Sequence, residues 1–240
     1  VDLVSYADIY GGVTVDLALQ GSAQATGAGS DLLTGFEDLE GSEDTDRLYG
    51  DGAANKIYGF HSGDQLYGRA GDDYLSGDGG SDTLHGGAGN DTLDGGDGSD
   101  IVSYEFATSG VTIDLNVTSP QNAGSEGVDT LISIEGLNGS NYADVITASG
   151  TMFYEGGIIN GLGGNDTIYA SEGSDNLNGG DGIDTVSYKN SSSSVNVYLS
   201  FSYTPYSGYD YISGFEYVEG SAYNDSLVGS SDANILWGLG

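Results

Sequence analysis

A nine-residue period runs unbroken through positions 41 to 103 of this 240-residue chain. Its seven units are GSEDTDRLY from Gly41, GDGAANKIY from Gly50, GFHSGDQLY from Gly59, GRAGDDYLS from Gly68, GDGGSDTLH from Gly77, GGAGNDTLD from Gly86 and GGDGSDIVS from Gly95. Each places Asp or Asn sixth and Leu, Ile or Val eighth. The glycines permit a tight turn, and the last three residues form a very short strand that sends one apolar side chain inward. One unit cannot bury that side chain, so the units must stack into a solenoid.

A longer repeat overlies the short one. DLVSY at Asp2, VTVDL at Val13 and FEDLEGS at Phe36 recur as DIVSY at Asp100, VTIDL at Val111 and IEGLNGS at Ile134. They recur again as DTVSY at Asp184, VNVYL at Val195 and FEYVEGS at Phe215. These landmarks divide the chain into long repeats at 1–103, 104–187 and 188–240, the third truncated, with all three expected in one continuous solenoid. Further nonapeptides start at Gly139, Gly161, Gly179 and Gly220. Val13, Val15 and Leu17, like Val111, Ile113 and Leu115, alternate with polar neighbours, the period of a strand with one buried face. No segment keeps a helical apolar period, so the expected fold is all-β, with loops at 116–128 and 200–209 projecting from the solenoid. The segment from Ala148 to Asn160 is irregular.

The chemistry follows from the sixth residue. Thirty-seven acidic residues face four basic ones, a net charge of −33, which excludes nucleic acid and anionic membrane surfaces as partners and favours cations. No stretch approaches the roughly 20 apolar residues of a membrane span, so no insertion is expected. With no cysteine there is no thiolate site. If two nonapeptides make one turn, Asp46, Asp64, Asp82 and Asp100 line one edge, and Asn55, Asp73 and Asp91 the other. Stacked carboxylates repel unless a cation lies between them, and calcium best tolerates an irregular set of carboxylate and carbonyl oxygens. The candidate metal ligands are Asp46, Asp64, Asp73, Asp82, Asp91, Asp100, Asp144, Asp166, Asp175, Asp184 and Asp225. Asp82, between Asp64 and Asp100, is expected to matter more than Asp225.

GGAGNDTLD and GGDGSDIVS match every defined position of GGxGxDxUx, so the chain resembles the RTX, or hemolysin-type calcium-binding, repeats of secreted bacterial proteins. The VSY, VTVDL and FExLxGS landmarks resemble segments interleaved with such repeats. The resemblance implies a right-handed parallel β-roll or β-helix, calcium held between successive turns, and export by a type I route. Its best-matching units lie within Gly68 to Asp100 and Gly161 to Asp184.

No HExxH, GxSxG or GxxxxGK occurs, and the two histidines, His61 and His85, fall at variable places where surface positions are expected. Tyr6, Tyr104 and Tyr188 share one landmark, and Tyr203, Tyr206, Tyr209 and Tyr211 cluster in the third loop, where packing beneath the loop outweighs sugar stacking. The leading reading is a non-enzymatic, extracellular or cell-surface calcium-binding module, serving as a structural or adhesive repeat of a larger secreted protein or filament. The alternative is an accessory module for export, folding or polysaccharide binding in a secreted enzyme such as a polysaccharide-modifying enzyme or protease. Val1 and Asp2 fit the fifth and sixth places of a nonapeptide, and Gly238 to Gly240 the first three of another. Neighbouring RTX repeats, or a second copy stacked head to tail, are therefore expected partners beside calcium, with polysaccharide or a cell surface as further candidates.

Overall fold

The computed structural model describes residues 1–150, 158–199 and 210–240. They form two compact units, Val1–Ser103 with Thr118–Asn122 and Glu126–Ile134, and Tyr104–Val117 with Ala123–Ser125 and Glu135–Gly240. The chain is all-β, its only described helical elements being the short 3-10 turns Leu17–Leu19 and Gly124–Glu126.

Two parallel ladders build the first unit. In one, Thr14–Asp16, Arg47–Tyr49, Gln65–Ala70, Thr83–Ala88 and Ile101–Ser103 pair in sequence, aligning Val15, Leu48, Leu66, Leu84 and Val102. In the other, Leu3–Ser5, Asp38–Glu40, Lys56–Tyr58, Tyr74–Ser76, Thr92–Asp94 and Val128–Ile132 align Val4, Leu39, Ile57, Leu75, Leu93 and Leu131. Within the nonapeptides, partners lie 18 residues apart, so two units make one turn. Leu48, Ile57, Leu66, Leu75, Leu84, Leu93 and Val102 are all 0% exposed. Each such burial contributes about 1.5–3 kcal/mol, and this replaces the large core a strand of three residues could not otherwise have.

The second unit repeats the plan. Thr112–Asp114, Val145–Thr147, Thr167–Tyr169, Thr185–Ser187, Tyr217–Glu219 and Ile235–Trp237 stack Ile113, Ile146, Ile168, Val186, Val218 and Leu236. Gly136–Asn138, Ile158–Asn160, Asn176–Asn178 and Tyr211–Ser213 stack Leu137, Ile159, Leu177 and Ile212. Asn196–Tyr198 pairs with Ser226–Val228.

Three expectations need correction. Residues 116–128 are not all loop: Gln121–Asn122 pairs antiparallel with Val128–Ile132, whose Leu131 joins the core at 3% exposure. His85 is not a surface residue. It is buried, stacked 4.4 Å from the Tyr67 ring, which in turn stacks 4.6 Å from Tyr49. Burial lowers its pKa to about 4. Leu115 is only partly covered, because its strand ends at Asp114. His61 is exposed, and Tyr6, Tyr104 and Tyr188 are buried. The irregular segment between Ala148 and Asn160 falls largely outside the described residues, as do the loop at 200–209 and its Tyr203, Tyr206 and Tyr209.

Candidate metal centre

The sixth residues do line the two edges of the coil, but they do not face one another as bare carboxylates. Seven of the eleven candidates, Asp64, Asp73, Asp82, Asp91, Asp100, Asp166 and Asp184, accept through Oδ1 the backbone N–H of the sixth residue one turn earlier. On one edge the Asp46, Asp64 and Asp82 amides donate to Asp64, Asp82 and Asp100 at 2.7–2.8 Å. On the other, those of Asn55, Asp73 and Asp91 donate to Asp73, Asp91 and Asp129 at 2.8–3.1 Å. In the second unit, Asp144 donates to Asp166 and Asp166 to Asp184, while Asp175 donates to Asp210. The Asp184 amide ends its run on Glu216 Oε2 at 3.0 Å. In these turns a backbone N–H, rather than a neighbouring carboxylate, meets Oδ1.

The second oxygen divides the eleven candidates. Oδ2 of Asp64, Asp73, Asp82, Asp91, Asp166 and Asp184 is buried and has no hydrogen-bond partner. These residues are at most 3% exposed. In Asp46, Asp144 and Asp225 both oxygens are engaged: Oδ1 accepts from the Val13, Val111 and Val195 amides, and Oδ2 from Ser42, Ser140 and Ser221. The hydroxyls of the same serines donate to Oδ1. Asp175 Oδ2 takes the Ser171 N–H at 2.9 Å. Asp100 is fully buried, with Oδ1 on the Asp82 amide.

Burial raises the pKa of Asp64, Asp73, Asp82 and Asp166 to about 7 and that of Asp91 to about 8. The backbone hydrogen bond opposes the shift, and neighbouring carboxylates add to it. Burial raises Asp100, Asp144, Asp175 and Asp184 as well. The metal-free fold thus disfavours the anion, as a site waiting for positive charge does.

Backbone oxygens, which are hard donors, lie close by. The carbonyls of Arg69 and Asp78 aim at Gly87 and Gly96 one turn on, and those of Gly71 and Gly80 at Gly89 and Gly98. A Cβ on Gly68 would fall 2.6 Å from Gly86 O and against Asp73 Oδ2, and one on Gly77 would fall 2.7 Å from Gly95 O and against Asp82 Oδ2. Only glycine leaves this space between turns open. Among the described residues no three His, Asp or Glu side chains converge, so a cation here depends on peptide carbonyls for most of its shell. Calcium accepts such a shell; magnesium, with its strict octahedron, suits it less.

A family model, the RTX calcium-binding nonapeptide repeat, matches four stretches, residues 40–75, 76–105, 156–186 and 208–240. The chain belongs to this family. No curated protein matches it. RTX repeats bind calcium, and the orphaned Asp oxygens and glycine cradles fit that ion. The matched stretches contain all the candidate ligands except Asp144.

Sequence reasoning missed Asp129, Asp210 and Glu216 as edge residues. GSEGVDTLI from Gly124 carries the RTX signal, with Gly first and fourth, Asp sixth and Leu eighth. It escapes a nine-residue count because it lies 38 residues beyond Asp91.

Proposed function

We propose that this chain is an extracellular calcium-binding β-roll that folds on binding calcium and serves as a structural or adhesive repeat of a larger secreted protein or filament. The observation that carries this reading is six buried, unpartnered Oδ2 atoms, four in the first unit and two in the second, each lying against a glycine of its own turn. A protein does not bury such atoms without a partner, and a divalent cation supplies one to several turns together. The buried carboxylates are committed to turn closure and to the cation, which leaves a scaffold rather than a catalytic role. Type I export fits the membership of the family, and no described helix is long and apolar enough to cross a membrane.

Neighbouring RTX repeats are the partners that membership of a repeat family suggests. The test is circular dichroism and sedimentation of the full chain in millimolar calcium, in magnesium and in EGTA. Calcium alone should produce the β signal and the compact particle; equal structure in EGTA refutes the proposal.

A further inference from the structure

The turns that orphan a carboxylate oxygen differ from those that satisfy it at the second residue of the nonapeptide in every case, and at the fourth in five of six: Ser62, Gly71, Gly80, Gly164 and Gly182 are left-handed, but Gly89, before Asp91, is not, so the second residue is the difference all six share. Before Asp64, Asp73, Asp82, Asp91, Asp166 and Asp184 that residue is Phe60, Arg69, Asp78, Gly87, Leu162 and Gly180, with φ of +80°, +80°, +65°, +92°, +71° and +102°. Four of these are not glycine, and a left-handed residue with a Cβ costs about 1–2 kcal/mol. The chain therefore holds these turns open against a local preference. Before Asp46, Asp144, Asp175 and Asp225 stands Ser42, Ser140, Ser171 or Ser221, none of them left-handed. There the second N–H points inward and donates to Oδ2 at 2.5–2.9 Å. The turns of Asn55 and Asn234 close in the same way, through the amides of Asp51 and Ser230. Asn thus replaces Asp only in closed turns, where a second charged oxygen has no use.

We infer that the second residue of each nonapeptide decides whether its turn takes calcium. A left-handed residue swings its amide away and leaves Oδ2 for the ion; a serine with ordinary backbone closes the turn with its own N–H and hydroxyl and excludes the ion. Of the eleven candidate ligands, Asp46, Asp144, Asp175 and Asp225 then have a purely structural role. Three of these closed turns also take the amides of Val13, Val111 and Val195, so each long repeat contains a joint made without metal. The inference rests on the calcium reading and adds a selection rule to it.

Equilibrium dialysis of the full chain against buffered calcium tests the rule. Asp166→Asn should lose about one ion, as should Leu162→Ser, whereas Leu162→Gly, which keeps the left-handed backbone, should retain the wild-type number. In Leu162→Ser the amide at position 162 should also gain protection from hydrogen exchange. Asp144→Asn and Asp225→Asn should bind as many ions as the wild type. If Asp166→Asn loses an ion but Leu162→Ser does not, the rule is overturned and the calcium reading stands; if Asp166→Asn loses none, the calcium site itself is misassigned. Should Leu162→Ser not fold, loss of an ion in Asp144→Asn or Asp225→Asn overturns the rule on its own.

Discussion

If calcium binds as proposed, chelation at neutral pH leaves six buried carboxylate oxygens, those of Asp64, Asp73, Asp82, Asp91, Asp166 and Asp184, without a hydrogen-bond partner. Leaving a buried polar atom unsatisfied costs about 1–3 kcal/mol, more if charged, so six cost at least about 6–18 kcal/mol. The whole net stability of a domain is about 5–15 kcal/mol. The metal-free fold should therefore not survive, and binding energy becomes folding energy. The assay is far-ultraviolet circular dichroism with fluorescence of Trp237, the one tryptophan, which packs edge-on to Tyr217 with ring centres 5.7 Å apart. Titrating calcium into the EGTA-treated chain should move both signals together, with a midpoint within about 10⁻⁴–10⁻³ M, as for extracellular modules. Magnesium at the same concentrations should do much less. A β spectrum and an unshifted Trp237 emission after verified removal of calcium would refute the reasoning, because the orphaned oxygens would then be tolerated.

Gly77→Ala places a methyl against Asp82 Oδ2 and 2.7 Å from Gly95 O, so calcium dialysis should show at least one site weakened about tenfold, or ~1.4 kcal/mol. Leu84, fully buried between Leu66 and Val102, should cost about 2–5 kcal/mol on change to alanine, seen as a lower melting temperature in calcium. Arg69 reaches Asp16 with two nitrogens at 2.7 and 2.8 Å and donates to Gly50 O, but it is part-exposed, so Arg69→Ala should lower calcium-loaded stability by only about 0.5–1 kcal/mol in a denaturant melt.

The period of nine, the inward Leu, Ile or Val and the two edges of Asp are legible in the sequence because each is a local regularity that stacking preserves. The pairing of Leu48 with Leu66 and of Ile57 with Leu75 needs only that count. What was not legible depends on backbone direction or on excursions. Whether Asp144 or Asp166 keeps a spare oxygen turns on the φ of residues 140 and 162, and the letters alone do not announce that a leucine stands left-handed at +71°. Asp129 enters the ladder after a detour that breaks the nine-residue count, although in space it follows Asp91 directly. His85 was misread because an end-of-unit residue can lie flat on its neighbour's ring when that neighbour is aromatic.

The alternation of edges constrains how such a chain can change length. Consecutive nonapeptides belong to opposite ladders, since Leu48 pairs with Leu66 while the intervening Ile57 pairs with Leu75. Gain or loss of a pair of units leaves every downstream residue on its own side. Gain or loss of a single unit keeps every glycine and core leucine in phase, yet transfers all that follows to the other side: the column of Tyr49, Tyr67 and His85 would be interrupted by residues now stacked with Tyr58. Tandem duplication in this array is therefore tolerated in quanta of 18 residues, and parity is an inherited property of the coil in the same sense as a reading frame.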